Sequence, residues 1–262
     1  MRKVLIPTDF SEVSENALKY GLDLYRRTKS TIDVVHVYHP AYDPGQTELI
    51  DVSSGVENLL KDNMAELLRK VSIFDIDVNG KVELGFVTEK IVKLSFNYDI
   101  IVMGTTGSNS LLGKIFGSVS SDVATQAHCP VLLVPPKIRF SGLTNIVYSC
   151  DFDGVNNDVL SEIISFANRY KAKLHFVHIK ENDNEFKLDL PKEVEADYSI
   201  DEIEADSVIN GVNGFIEKTN AELVIMATKQ RSFWEKIVHT NHTKEFALNV
   251  KVPLLVYHET NR

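Results

Sequence analysis

The sequence predicts a tandem α/β protein, two consecutive domains that are each a five-stranded parallel sheet flanked by helices. Three observations predict it. Short Val-, Ile- and Leu-rich runs alternate with amphipathic stretches, four of those runs recur in order along the chain, and 262 residues suit two domains of ordinary size. Hydrophobic residues make up 44% and charged residues 25%, enough apolar material for two cores.

The repeat is explicit. Val4-Leu5-Ile6-Pro7-Thr8-Asp9-Phe10 matches Ile146-Val147-Tyr148-Ser149-Cys150-Asp151-Phe152 at an offset of 142, and Val34-Val35-His36-Val37 matches Phe176-Val177-His178-Ile179 at the same offset. Ile100-Ile101-Val102-Met103 then matches Leu223-Val224-Ile225-Met226 at an offset of 123, as Pro130-Val131-Leu132-Leu133-Val134 matches Pro253-Leu254-Leu255-Val256-Tyr257. The offset falls by 19 residues, the length of one helix with its loop.

Taken in order, the first copy has strands near 3–8, 31–38, 81–86, 99–104 and 130–135. Their runs lack polar alternation, as expected for strands covered on both faces. Between them, Ala17, Leu18, Gly21, Leu22 and Leu24 mark one helix. Val56, Leu59, Leu60, Met64, Leu67, Leu68 and Val71 mark a second across 55–72, and 87–96 a third. A fourth spans about 118–128. In the second copy, 159–170 and 203–216 play the helical parts, while 180–194 is polar and broken by Pro191, so most of the second helix is expected to be missing. Each unit is thus Rossmann-like and of flavodoxin size, built of right-handed βαβ crossovers. The boundary falls at 1–137 and 138–262, with Pro135-Pro136 and the residues up to Thr144 as linker.

Charge excludes several classes. The formal net charge is −9, with −3 in 1–137 and −6 in the remainder, so neither half has the basic surplus that a nucleic-acid partner requires. No run of 18 apolar residues is present to span a membrane, and the N-terminus opens on a strand rather than a signal-peptide pattern. Cys129 and Cys150 form no CxxC or zinc pattern. A cytoplasmic protein is expected.

The chemistry concentrates in one loop, running from Met103-Gly104-Thr105-Thr106-Gly107 to Gly117-Ser118-Val119-Ser120 between a buried strand and a helix. Gly104 and Gly107 lack Cβ atoms, so their amides can approach a ligand closely or adopt φ > 0. At Gly117-Ser118 the free amides, the positive dipole end and a capping hydroxyl converge, which suits a phosphate. Open α/β sheets bind ligands beyond the carboxyl ends of their strands, where the winding reverses. Asp9 and Gly104 both end strands facing that crevice, so Asp9 is expected to accept from the adenine or ribose end while the glycines hold phosphates.

With Pro7-Thr8-Asp9, His36-Val37, Met103-Gly104, Gly107, Gly117-Ser118 and Pro130-Val131-Leu132, and a Gly-x2-Gly-x9-Gly-Ser spacing, the chain resembles the ATP-binding branch of the universal stress protein family across nearly its whole length. The resemblance implies an ATP-binding stress-response and regulatory protein whose ligand is ATP or another adenine nucleotide, Mg²⁺ being left open. It implies a binding set of Pro7, Thr8, Asp9, Val37, Met103, Gly104, Thr105, Gly107, Gly117, Ser118, Val119 and Ser120, with Asp9 and Val37 at adenine. It also implies an intramolecular pseudo-dimer, in which the last strands of the two copies pair, and leaves open a further homodimer or protein partner. No catalytic residue and no metal ligand is expected.

The second copy departs from the pattern, because Gly104, Gly107, Gly117 and Ser118 become Ala227, Gln230, Thr240 and Asn241. Arg231, Phe233 and Trp234 add bulk, so no nucleotide is expected there although Asp151 persists. Plainer readings stand beside each feature. The glycines can serve only the turn, Asp9 or Ser11 can cap the first helix, and Lys114 is either a phosphate contact or a solvated lysine. His36 and His178 read as packed histidines, Cys129 and Cys150 as small core residues. His239 and His242 stand three apart, yet no third metal ligand accompanies them. Three functions follow: a nucleotide-dependent regulator with the second copy as a pseudo-subunit, a nucleotide-free scaffold, and an enzyme, either a slow ATPase or a nucleotidyl transferase. The last lacks any recognisable catalytic equipment.

Overall fold

A computed structural model describes residues 2–39, 50–74, 76–105, 117–149, 156–180, 196–228 and 252–258, leaving aside the side chains of 50–54, 209 and 228. The described residues form two compact units, parting between Phe140 and Ser141.

Unit one runs β1 (Arg2–Pro7), α1 (Glu12–Tyr25), β2 (Ser30–Tyr38), α2 (Ile50–Val71), β3 (Val78–Leu84), α3 (Val87–Ser95), β4 (Ile100–Gly104), α4 (Ser118–Gln126) and β5 (Val131–Val134). Its strands are parallel, in the order β3-β2-β1-β4-β5. Unit two runs β6 (Asn145–Ser149), α5 (Asn157–Tyr170), β7 (Lys173–Lys180), β8 (Tyr198–Glu204), α6 (Val208–Thr219), β9 (Leu223–Thr228) and β10 (Leu254–His258). It repeats the arrangement, parallel and in the order β8-β7-β6-β9-β10. Two units of the expected α/β class, each with five parallel strands, are therefore present.

The cores lie on the central strands, where the apolar runs have helices on both faces. Val4, Leu5, Ile6, Ile101, Val102 and Leu133 are buried in unit one, as are Ile146, Val147, Tyr148, Phe176, Ile225 and Leu255 in unit two. Each such side chain contributes about 1.5–3 kcal/mol on leaving water.

The outer strands differ from expectation. β3 and β8 are mixed in burial rather than covered throughout, because each has a neighbour on one side only. β3 starts earlier than expected and stops at Leu84, since Gly85 takes φ +153° and Phe86 becomes the N-cap of α3. The helix expected over 203–216 starts at Val208, and Ile203 belongs to β8. Pairing with β7 from Leu174↔Tyr198 to Lys180↔Glu204 satisfies that backbone as a strand, and Ser207 then caps α6 by accepting from Asn210 N–H at 3.2 Å. In α2 the second half carries the packing, through buried Met64, Leu67 and Val71, whereas Leu59 remains 60% exposed. The expected loss of a helix over 180–194 concerns residues that, beyond Lys180, lie outside the described ones.

Candidate functional site

In unit one the chain leaves β1 for β2 on one side and returns through β4 on the other, so the winding reverses between β1 and β4. Their carboxyl ends bracket the crevice such a reversal creates. Pro7, Thr8 and Asp9 leave β1 there, Met103, Gly104 and Thr105 leave β4, and Val37 lies buried on β2 at the flank.

The β1 turn is held from three directions. Thr8 is buried; its N–H donates to Val35 O at 2.8 Å, and its carbonyl accepts from His36 Nδ1 at 2.8 Å. Its hydroxyl accepts from Phe10 N–H at 3.0 Å and stands 3.1 Å from Ser14 Oγ. Phe10 has φ +61°, a left-handed conformation that costs a bulky residue on the order of 1–3 kcal/mol. The Thr8 hydroxyl and the His36 ring, 4.5 Å from the Phe10 ring centre, hold it in place. Ser11 is the N-cap of α1, accepting from Ser14 N–H at 3.2 Å. Asp9 is exposed and braces that cap, accepting through Oδ1 from Ser11 N–H at 3.1 Å and from the Ser11 hydroxyl at 2.5 Å. The capping role thus falls to Ser11. His36, packed and locally hydrogen-bonded, stabilises the turn.

Gly104 and Gly117 each have a role within the protein itself. A Cβ on Gly104 would stand 2.7 Å from Val13 Cγ1 and 3.2 Å from the Val13 carbonyl, so the bare Cα admits the first turn of α1. Neither Gly104 nor Gly117 adopts positive φ; among the described glycines only Gly85 and Gly142 do. Gly117 N–H donates to Thr105 O at 2.7 Å, so that amide already has a protein partner. The expected capping hydroxyl at Ser118 is absent too, for Gly117 is the N-cap of α4 and no side chain caps it. Ser120 points inward, donating to Thr105 O at 2.7 Å and Gly117 O at 3.0 Å.

What remains is an uncapped helix start. The amides of Ser118, Val119 and Ser120 precede the first intrahelical bond of α4, Ser121 N–H to Gly117 O at 3.1 Å. They lie at the positive end of the helix dipole, the end of a helix that favours negative charge. Beside it Thr105 is 2% exposed, and its buried hydroxyl has no hydrogen-bond partner. A buried, unbonded hydroxyl costs about 1–3 kcal/mol. Gly107 and Lys114 lie outside the described residues, as do Gln230, Thr240, Asn241, Asp151, Cys150, His239, His242, Arg231, Phe233 and Trp234. Ala227, on β9, stands where unit one has Gly104.

Sequence reasoning missed Val13 and the strained Phe10. The Ser11-x-x-Ser14 spacing was the one visible signal of this turn; nothing local announces φ +61° at a phenylalanine. Among the described residues no group of three or more His, Cys, Asp or Glu could hold a metal ion. Cys129 is buried, and burial, aided by the Asp99 charge, pushes its thiol up to about 12, far from a reactive thiolate.

The universal stress protein family model matches residues 1–135. A universal stress protein of Methanocaldococcus jannaschii is 32% identical over 146 residues, covering 51% of this chain and 81% of that protein. A second from the same organism is 29% identical over 156 residues, covering 52% and 96%. Over the whole chain, the crystal structure of a universal stress protein from Archaeoglobus fulgidus superposes with a TM-score of 0.75 at 18% identity, covering 99% of this chain and 97% of that one. That last likeness is one of fold.

Proposed function

The chain belongs to the universal stress protein family, and from that premise we propose that unit one holds an adenine nucleotide, ATP first among them, in the β1–β4 crevice. The observation that carries this reading is the uncapped start of α4 beside the partnerless Thr105 hydroxyl, at the reversal point of the sheet. The phosphates take the amides of Ser118, Val119 and Ser120, and Gly107 lines their path. Adenine and ribose lie toward Pro7, Thr8, Asp9, Val37 and Met103. Bracing Ser11 does not disqualify Asp9, since a carboxylate accepts up to about four hydrogen bonds. Gly104 and Gly117 contribute by shaping the crevice, the one seating α1 and the other the Thr105 turn.

The protein is then a nucleotide-responsive regulator of the cytoplasm with unit two as a pseudo-subunit, and ATP acts by favouring one packing of the chain over another. Among the described residues no helix is long and apolar enough to cross a membrane. A second reading has its own support. Gly104 and Gly117 are both accounted for by contacts within the protein, which is what a nucleotide-free scaffold of the same fold requires.

Native mass spectrometry of the purified chain, with thermal unfolding at increasing ATP, separates them. One adenine nucleotide per chain is expected, with a stabilisation of about 2.7 kcal/mol at a hundredfold excess over Kd. Both signals should vanish in Gly107→Arg. A chain that purifies empty and does not respond to millimolar ATP leaves only the scaffold.

A further inference from the structure

β8 is the outer strand of unit two, paired with β7 alone among the described residues. Leu174 N–H donates to Asp197 O at 2.9 Å, so Asp197 and every second residue after it turn their main-chain groups toward β7. Those between, Tyr198, Ile200, Glu202 and Glu204, turn theirs outward. Between the carboxyl half of this strand and α6 runs an open groove of about 620 Å³. Its apolar part is made by Ile203, Ala205, Gly211, Gly214 and Phe215. Gly211 faces β7, since a Cβ on it would stand 2.5 Å from Ile179 Cδ1, and Ile203 is the register partner of Ile179. The groove thus lies on the Ile203 face of β8.

Unit one shows how the same place is closed. Lys90 N–H donates to the N-cap carbonyl of Phe86 at 2.9 Å, as Gly211 N–H donates to that of Ser207 at 3.1 Å, so Lys90 and Gly211 are equivalent. Buried Ile91 and Val212 follow them. Glu83 and Ile203 are equivalent as well, through their register partners Val37 and Ile179, which the repeat aligns. In unit one Lys90 Nζ reaches Glu83 Oε2 at 2.9 Å and bridges α3 to β3. In unit two a glycine and an isoleucine take those two places, and no ion pair can form. A Cβ on Gly214 would meet nothing within 4 Å. With no bridge and two bare Cα atoms on α6, this edge stays open.

We propose that the groove and the outward edge of β8 form a docking site for an extended basic segment of a partner protein, which joins the sheet as a further strand. The outward amides and carbonyls supply the hydrogen bonds, while the groove and the charge select the sequence. Side chains of an added strand alternate between the two faces. Those on the Ile203 face enter the groove, whose apolar lining and bare Gly214 suit a group the size of valine. Those on the other face lie beside Glu202 and Glu204, which share that face by the same alternation. Both carboxylates are exposed, and Asp206 adds another at the groove against a single ammonium, Lys218. Lys180 Nζ, 3.8 Å from Glu202 Oε1, offsets only one of them. The surface therefore fits an alternation of apolar and basic side chains, with opposite charges set across the seam. The β8 of a second copy brings the same carboxylates and meets like charge. This surface lies wholly within unit two, so it stands or falls apart from any nucleotide in unit one.

The test uses the full chain and a dye-labelled peptide of about five Val-Lys repeats, long enough to run the length of β8. Fluorescence anisotropy should show saturable binding of one peptide per chain that weakens as salt rises. Hydrogen exchange at the outward amides of Ile200, Glu202 and Glu204 should slow when the peptide is bound. A peptide of the same composition in Val-Val-Lys-Lys order loses the alternation and should bind about tenfold more weakly. Gly214→Trp fills the groove at a point where nothing stands within 4 Å, and should weaken binding by about tenfold or more. Glu204→Lys should weaken it and flatten the salt dependence. Equal binding of the two peptides, binding unchanged in both variants, or exchange on β8 that ignores the peptide would falsify the docking site. Protection of those amides that rises with protein concentration in the absence of peptide would assign the edge to a second copy instead and overturn it equally.

Discussion

At one position of one fold, unit one has Asp33 held by Lys81, Tyr98 and Asn79, and unit two has His175 held by Ser199 and Asn145. The backbone registers are the same, so the difference lies wholly in side-chain chemistry. Burial pushes the Asp33 carboxyl up, but the bonds from Lys81, Tyr98 and Asn79 outweigh it and leave the group below its ordinary value. Burial and Asp33 together push the Tyr98 phenol up to about 12. Unit one therefore has a fixed charge pair near neutral pH, and unit two a titratable one. The crossover edges differ as well, with Gly104 seating Val13 in unit one where β9 has Ala227. The two units share the strand order and register and differ in the polar side chains set into them.

The largest expected effect breaks the comparison at that glycine. Gly104→Val sets a branched side chain against the Val13 carbonyl and should destabilise unit one by about 3 kcal/mol, read as a lower denaturation midpoint. Ala227→Gly in unit two should cost no more than about 1 kcal/mol. A Gly104→Val chain as stable as wild type removes the packing role assigned to Val13.

Next, Asp33→Asn should weaken three bonds at once and lower stability by about 1.5–3 kcal/mol at neutral pH. Its wild-type pH dependence sharpens the contrast. A carboxyl held below its unfolded value contributes fully above that value and fades as pH falls through the folded one. The Asp33 contribution should thus persist down to about pH 4, whereas that of His175, whose ring is held below its ordinary value by burial, is already falling below about 6.5. Urea titrations of Asp33→Asn and His175→Gln at several pH values measure both.

A smaller effect, about 1 kcal/mol, is expected for Ser11→Ala, which removes the α1 cap and the hydroxyl that Asp9 grips. Asn156→Ala is its counterpart in unit two, where Asn156 caps α5 by accepting from Asp158 N–H at 2.8 Å. Equal losses would mean that the Asp9 brace contributes nothing to folding. Smallest of all is Thr105→Val: deleting a hydroxyl without a partner should leave the empty protein unchanged or slightly more stable, within about 1 kcal/mol, and on the proposed function it should weaken binding of an adenine nucleotide. A clear destabilisation of the ligand-free protein instead would show that the hydroxyl is bonded.

Much of this was legible along the chain. The Val4-Leu5-Ile6 and Ile146-Val147-Tyr148 runs announced buried central strands, because a strand covered on both faces must be apolar at every position. The edges were not. Tyr198-Ser199-Ile200-Asp201-Glu202-Ile203-Glu204 has no single apolar face, and Ile203, Val208, Val212 and Ile216 happen to recur near the helical period, so pattern alone assigned Ile203 to a helix. Pairing with β7 decided otherwise. In the site, the Asp9 and Gly104 positions were legible, but their local duties were not: a glycine looks the same in sequence whether a ligand or Val13 fills the space beside it.

The sequence by itself determined the duplication, the parallel α/β class and the strand ends that face the crevice. Those follow from hydrophobic periodicity and chain order, which are local. Tertiary structure alone decided that Phe10 is held left-handed against His36, that Gly117 gives its amide to Thr105, and that residues as distant as Asp33 and Tyr98, or Asn145 and Ser199, share one hydrogen-bonded cluster. Such contacts depend on strand register and helix seating, and no short window of sequence encodes the register of a partner strand tens of residues away.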